Sequence, residues 1–174
     1  MNEIIKCIKS RRSVKKYKSD PVPEELIEAI TEAGTYAPTG LNRQTPVILA
    51  ITNKELRDRL SDLNARIMGI ESDPFYNAPC VLVVLADRSL LSKTYINDGS
   101  LVMGNMMLAA HSLGLGSYWI HRAREVFAQP RWQQLLAGLG ITEEYEGVGN
   151  LAIGYIDGEY PPEKEKNEGR TFIL

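Results

Sequence analysis

The chain has 174 residues, 44% of them hydrophobic and 24% charged, which is enough apolar mass for a core and excludes a disordered, collagen-like or low-complexity scaffold. Twenty Lys and Arg against 22 Asp and Glu leave a formal net charge of −2, which argues against a dedicated binder of nucleic acid or of an anionic membrane. Seven of those cations (Lys6, Lys9, Arg11, Arg12, Lys15, Lys16 and Lys18) nevertheless fall within 13 residues that hold no acid, a run that points to something negative opposite them.

In chain order, Ile4, Ile5 and Ile8 space a short amphipathic helix that runs into the basic segment. Pro21 and Pro23 break the chain, and Pro23 suits the first position of the next helix, with Glu24 and Glu25 complementing its dipole. Leu26, Ile27, Ile30 and Ala33 give that helix its apolar stripe, and Gly34 is its expected stop. After a loop at 37–46, residues 47–51 are continuously apolar, as in a buried strand. Thr52 and Glu55 read as a capping box opening a helix striped by Leu56, Leu60, Leu63 and Ile67. A loop holding Pro74 and Pro79 leads to a second apolar strand at 80–86.

Residues 97–113 read as a helix apolar on almost every side, as at the centre of a domain or across a subunit interface. Gly114 and Gly116 end it, and a strand is expected at 117–121. A helix carrying Trp132, Leu135, Leu136 and Leu139 follows, then a last core strand at 148–156, a charged tail and the strand-like Thr171, Phe172, Ile173 and Leu174. Two opening helices and a strand-like close suggest a central sheet flanked by helices, α+β or α/β, and no repeat or linker divides residues 1–174 into more than one domain. Cys7 and Cys80 are the only cysteines, no apolar run reaches the roughly 18–20 residues of a membrane span, and the charged start carries no signal-peptide apolar region. The expectation is a cytoplasmic chain.

Three segments carry residue types suited to ligand chemistry. Arg11, Arg12, Ser13 and Lys15 offer a guanidinium fork, a hydroxyl and a point charge, a set matched to a phosphate monoester or, more blandly, a solvated basic turn. Asn42 and Gln44, in the loop with Pro38, Thr39 and Gly40, have amides that both donate and accept, as a heteroaromatic ring edge requires; the same residues also shape ordinary turns. In Gly114–His121 small residues would let a flat ligand approach the backbone, although the stretch equally reads as a helix end entering a strand, and it lacks the third glycine of a dinucleotide fingerprint. His111 reads as a satisfied core histidine, and His121 as the better functional candidate. Absence of a GxxxxGK(S/T) loop, a GxSxG elbow or a credible zinc set leaves a cofactor as the expected carrier of any reaction.

The R-R-S-V-K segment at 11–15, the P-T-G-x-N-x-Q loop at 38–44, D-G-S-L-V-M-G-N-M-M-L-A-A-H-S-L-G-L-G-S-Y-W-I-H at 98–121, L-A-I-G-Y at 151–155 and Arg170 occur in an order and spacing that resembles the FMN-dependent nitroreductase family, particularly its short members. The resemblance implies an α+β fold with a central mixed or antiparallel sheet, a buried central dimer helix at 98–113 and a C-terminal strand reaching the partner subunit. It implies a homodimer holding one FMN per interface site, with NADH or NADPH as hydride donor and a nitroaromatic, quinone or similar small acceptor. Arg11, Arg12, Ser13 and Lys15 would grip the phosphate and ribityl chain, Lys15 also approaching the pyrimidine edge. Pro38, Thr39 and Gly40 would come from the partner, Asn42 and Gln44 would meet the ring's polar edge, and Trp119, Ile120, His121 and Arg122 would pass its face. Arg170, with Lys164 or Lys166, would add a phosphate contact, and His121 is the only candidate proton donor. Thr45-Pro46 replaces the family's common Pro-Trp, and 68–77 is short, so the acceptor is less defined than the cofactor. Related flavin chemistries (flavin cleavage, dehalogenation, oxidative dehydrogenation) and a flavin-binding protein without turnover are the competing readings.

Overall fold

The computed structural model describes residues 2–89, 94–142 and 144–174. Asn2 caps helix α1 (Glu3–Ser10) by accepting the Ile5 amide at 3.0 Å, and Glu24 and Glu25 open α2 (Glu24–Thr35). Strand β1 (Val47–Ile51) leads into α3 (Lys54–Met68), which ends on Gly69 in the left-handed conformation. Then come β2 (Cys80–Asp87), the 18-residue α4 (Tyr95–Ser112), β3 (Gly116–Ile120), the short α5 (Ala123–Phe127), α6 (Pro130–Gly138) and β4 (Tyr145–Gly154).

The four strands form one antiparallel sheet in the order β1-β2-β4-β3. Side chains alternate faces along a strand, so β2 sends Val81, Val83 and Leu85 one way and Cys80, Leu82, Val84 and Ala86 the other. The first set meets Leu60 of α3, Val126 and Phe127 of α5 and Trp132 and Leu136 of α6; the second meets Ile30 of α2 and Val102, Met103 and Met106 of α4. Helices cover both faces, which is why β2 reads as an unbroken apolar run. The fold is therefore α+β, an antiparallel sheet flanked by helices.

Several local expectations change. Pro23 caps α2 rather than opening it, and α2 continues through Gly34. That glycine is a packing position, because a Cβ there would lie 2.8 Å from Met106 Cγ of α4. The α3 cap is Asn53, accepting the Leu56 amide at 2.9 Å, and Thr52 lies outside it. β1 is an edge strand, only half buried, and β4 runs three residues earlier at its start and two shorter at its end than expected. β3 spans Gly116–Ile120, so His121 lies just beyond it. No strand forms at 171–174, where Phe172 is 79% exposed: none of the four strands leaves an edge paired with it. Cys7 and Cys80 are free thiols, and burial pushes Cys80 up to about 12, making it a packing group. Among the described residues no helix is long and apolar enough to cross a membrane, and no cluster of three His, Cys, Asp or Glu could hold a metal.

Candidate functional site

The basic segment is bound into the sheet by its backbone. Ser13 forms a parallel bridge with Ser117 of β3, Val14 donates its amide to the Ser117 carbonyl at 3.0 Å, and Tyr17 bridges Ile156 just beyond β4. The close approach of residue 14 depends on Gly116, where a Cβ would meet the Val14 side chain at 2.8 Å. Val14 and Tyr17 are buried, which leaves Ser13 and Lys15 exposed on either side of Val14. Arg11 Nη1 is buried and has no hydrogen-bond partner, and the Ser117 hydroxyl is likewise unpaired. An unsatisfied guanidinium donor is costly unless an acceptor, best an anion, meets it. The residues present therefore fit a phosphate group, and Arg11 with Ser13 are the donors that would hold it.

Arg12 is engaged differently. Its Nη1 donates to the carbonyls of Lys9 (2.6 Å) and Arg11 (3.0 Å), and Nη2 pairs with Glu163 of the tail at 3.2 Å. Beside it, His111 at the end of α4 shares hydrogen bonds with Ser10 Oγ (2.7 Å) and Tyr160 OH (3.2 Å), and Tyr160 OH accepts the Arg12 amide at 2.7 Å. Burial, then the charges of Arg11 and Arg12, hold the His111 imidazole below its usual range. His111 is thus a half-buried linker of three segments rather than a core histidine.

Lys15 Nζ lies 5.1 Å from the Tyr118 ring centroid and 5.7 Å from that of Tyr76. Tyr76 sits in a turn organised by Asp73, whose carboxylate accepts the Phe75 and Asn77 amides at 2.8 Å each and the Ser61 hydroxyl at 2.5 Å, and pairs with Arg57. Arg57 also donates to the Ala78 carbonyl at 3.0 Å. Burial alone would raise the Asp73 carboxyl, but the Ser61 and Arg57 hydrogen bonds, the Phe75 amide and the Arg57 charge together hold it below the usual carboxylate range.

The loop with Pro38, Thr39 and Gly40 lies beside α4, where the buried Asp98 accepts the Gly40 amide at 3.0 Å. Leu41, Asn42 and Gln44 all have left-handed backbones, φ 54°, 52° and 51°. Gln44 Nε2 donates to Asn42 Oδ1 at 3.1 Å, so the two amides meet each other at the surface. At the end of β3, Asn64 and Asn150 both donate to the His121 carbonyl at 3.1 Å, their own Oδ1 atoms remaining buried and unpaired. This clamp fixes the turn into Arg122, itself at φ 76°. Trp119 is half-buried, Ile120 buried, and the His121 side chain exposed. Arg170, Lys164 and Lys166 are exposed on the tail.

The structure thus brings Arg11, Ser13 and Lys15 beside β3, with residues 119–122 at that strand's far end, and keeps the 38–44 loop on the α2–α4 side. Sequence reasoning passed over Tyr76, Tyr118, Asp73 and the two asparagines. Asp73 before Pro74, with Asn77 following, is a turn signature that marked the place but not its link to Lys15.

The Nitroreductase family model matches residues 8–75 and 64–155. A protein of Methanothermobacter thermautotrophicus, provisionally named an NADH dehydrogenase/NAD(P)H nitroreductase, is 31% identical over 119 residues, 67% of this chain and 60% of the relative. A protein of Archaeoglobus fulgidus with the same name is 30% identical over 158 residues, 89% of this chain and 86% of the relative. The match therefore spans less than two thirds of the first of these relatives and most of the second. The crystal structure of a nitroreductase with bound FMN from Bacteroides fragilis superposes with a TM-score of 0.87 at 31% identity, covering all of both chains.

Proposed function

Because the chain belongs to the nitroreductase family, we propose that it is a cytoplasmic FMN-dependent oxidoreductase that takes hydride from NADH or NADPH and reduces small acceptors such as nitroaromatics or quinones. Residues 1–174 act as one FMN-binding unit, two copies of which form a homodimer with the sites at the interface. The observation that carries the reading is the unpaired, buried Arg11 donor on a segment hydrogen-bonded along β3. Bound FMN supplies the hydride-accepting chemistry, and donor and acceptor take turns at one site.

The chain's own residues hold and tune. Arg11 and Ser13 bind the phosphate, Arg12 and Arg170 reinforce the positive field around it, and Lys15 presents a cation to the pyrimidine edge, favouring the negative charge that reduction places there. Asn42 and Gln44 exchange their mutual hydrogen bond for the ring's polar edge. Pro38, Thr39 and Gly40 face the partner's site. Trp119, Ile120, His121 and Arg122 form the wall past the ring face, and the exposed His121 imidazole is the one side chain there able to hand over a proton. Dimerisation is supported by the apolar stripe of α1, where Ile4 is 70% exposed, and by Tyr36, 77% exposed across the groove that Cys7, Ala33 and Leu108 line.

Purified protein is expected to be yellow, and the flavin to be released on denaturation. Arg11→Ala with Ser13→Ala removes two charge-assisted hydrogen bonds to the phosphate anion, an expected loss of at least about 100-fold in FMN affinity with the fold retained. Unchanged affinity, measured by fluorescence titration, overturns the phosphate role, and a protein that stays colourless after incubation with FMN overturns the cofactor.

A further inference from the structure

Among the described residues Lys15 is held by aromatic rings and by no carboxylate. Its Nζ lies within cation–π range of two rings, Tyr118 at 5.1 Å and Tyr76 at 5.7 Å, and those rings meet each other edge to face with centroids 5.2 Å apart and planes at 81°. Lys15 appears in no ion pair among the described residues, although its neighbours Arg12 and Lys16 pair with Glu163 and Asp157. Tyr118 is fixed by β3, opposite Ala152 of β4. Tyr76 is fixed by the Asp73 turn, with φ 55°, and by the fully buried Phe75 before it. Burial first, then the neighbouring Tyr118, pushes the Tyr76 phenol up against the lowering effect of the Lys15 charge and hydrogen bond, and the ammonium lies over the faces of both rings. A carboxylate in the same place would neutralise the ammonium. Two aromatic faces orient it and leave its charge available.

We propose that Tyr76 and Tyr118 are positioning residues that clamp the Lys15 ammonium, uncompensated, toward the anion-binding side of β3, and that this clamp sets how strongly the site prefers reduced over oxidised FMN. The inference rests on the reading of Lys15 as a neighbour of the flavin's pyrimidine edge. Through the Asp73–Arg57 pair, it also connects a buried network remote from the cofactor to the electronics of the site.

The test is a set of variants in which oxidised- and reduced-FMN affinities are measured anaerobically, as their ratio. Tyr76→Leu with Tyr118→Leu keeps apolar bulk and removes the ring faces; the ratio is expected to fall about tenfold, equivalent to about 30 mV for a two-electron couple. Tyr76→Phe with Tyr118→Phe retains the faces and is expected to stay within about twofold of wild type. Lys15→Met is expected to lower the ratio at least as far, and adding the leucine pair to it to change nothing more. A leucine pair without effect beside an effective Lys15→Met overturns the clamp and leaves the Lys15 reading standing. No effect from Lys15→Met overturns the reading of Lys15, and the clamp's role with it. An independent readout needs no cofactor and no leucine variant: in the wild-type protein the Lys15 ε-protons are expected to shift upfield in the NMR spectrum from the ring currents, and unshifted protons overturn the geometry.

Discussion

Residues 73–78 and 39–44 form two turns that both place non-glycine residues in the left-handed region, Tyr76 and Asn77 in one, Leu41, Asn42 and Gln44 in the other. Such residues cost free energy that surrounding structure must offset. In the first turn the support is internal: Asp73 takes two backbone amides, Ser61 and Arg57 complete its shell, and Phe75 is buried below. In the second, beyond the backbone bonds from Asn42 N to Thr39 O and from Arg43 N to Gly40 O, side-chain support is thin: one part-buried contact from Gly40 to Asp98 and two surface bonds, Gln44 N to Thr39 Oγ1 and Gln44 Nε2 to Asn42 Oδ1. Leu41 stands 83% exposed at its tip. One turn is finished by its own chain, whereas the other has the form of a half-built contact, which suits the proposed role of this loop at a partner subunit and a ring edge.

Three changes would break or sharpen that contrast. Asp73→Ala strips a nearly buried guanidinium of one of its two carboxylate partners, Asp58 remaining at 2.9 Å, and leaves the Phe75 and Asn77 amides without their acceptor; it is expected to cost about 2–3 kcal/mol, read from urea unfolding. The same carboxylate gives a pH signature. Its folded pKa lies below the unfolded value near 3.9, so its contribution is fully present above that value and is lost as pH falls through the lower folded one. Wild type is therefore expected to lose stability over that acid window and Asp73→Ala to lose less; parallel acid-unfolding curves would contradict the assignment. Asp98→Ala leaves the Gly40 amide without its acceptor at an expected cost of about 1–2 kcal/mol, and hydrogen exchange should quicken at 39–44 but not at 73–78. The smallest effect goes the other way: Leu41→Gly relieves a left-handed leucine and is expected to stabilise the isolated chain by up to about 1 kcal/mol. The same change should weaken self-association in sedimentation equilibrium, and an unweakened dimer would remove the 39–44 loop from the interface.

Much of the fold is legible in the residues because periodicity survives context. Leu56, Leu60, Leu63 and Ile67 mark α3, and the apolar run of β2 follows from helices covering both faces of the sheet. Where several residues can satisfy one rule, sequence alone misplaces it. Thr52 and Asn53 are both good caps, and only backbone geometry selects Asn53. Gly34 looks like a helix stop until Met106 is seen against it. The strand order, which sets β1 at an edge, has no local signal at all. At the site, Arg11, Ser13 and Lys15 stand out by charge and chemical type. Tyr76, Tyr118, Asn64 and Asn150 do not, because their roles arise from contacts between segments 29 to 103 positions apart.

The bonding of residues 11–17 has a consequence for the order of assembly. Ser13 pairs with Ser117 and Tyr17 with Ile156, so residues 11–17 can take their place only after the chain through residue 156 has been made. Until then Arg11, Ser13 and Lys15 hang on an untethered segment, since contacts so distant in sequence close late. A nascent or truncated chain that stops short of Ile156 can build helices and much of the sheet yet lack a seated Arg11. Seating of Arg11, Ser13 and Lys15 against β3 is therefore a late step of folding, one that waits on residues 117–156.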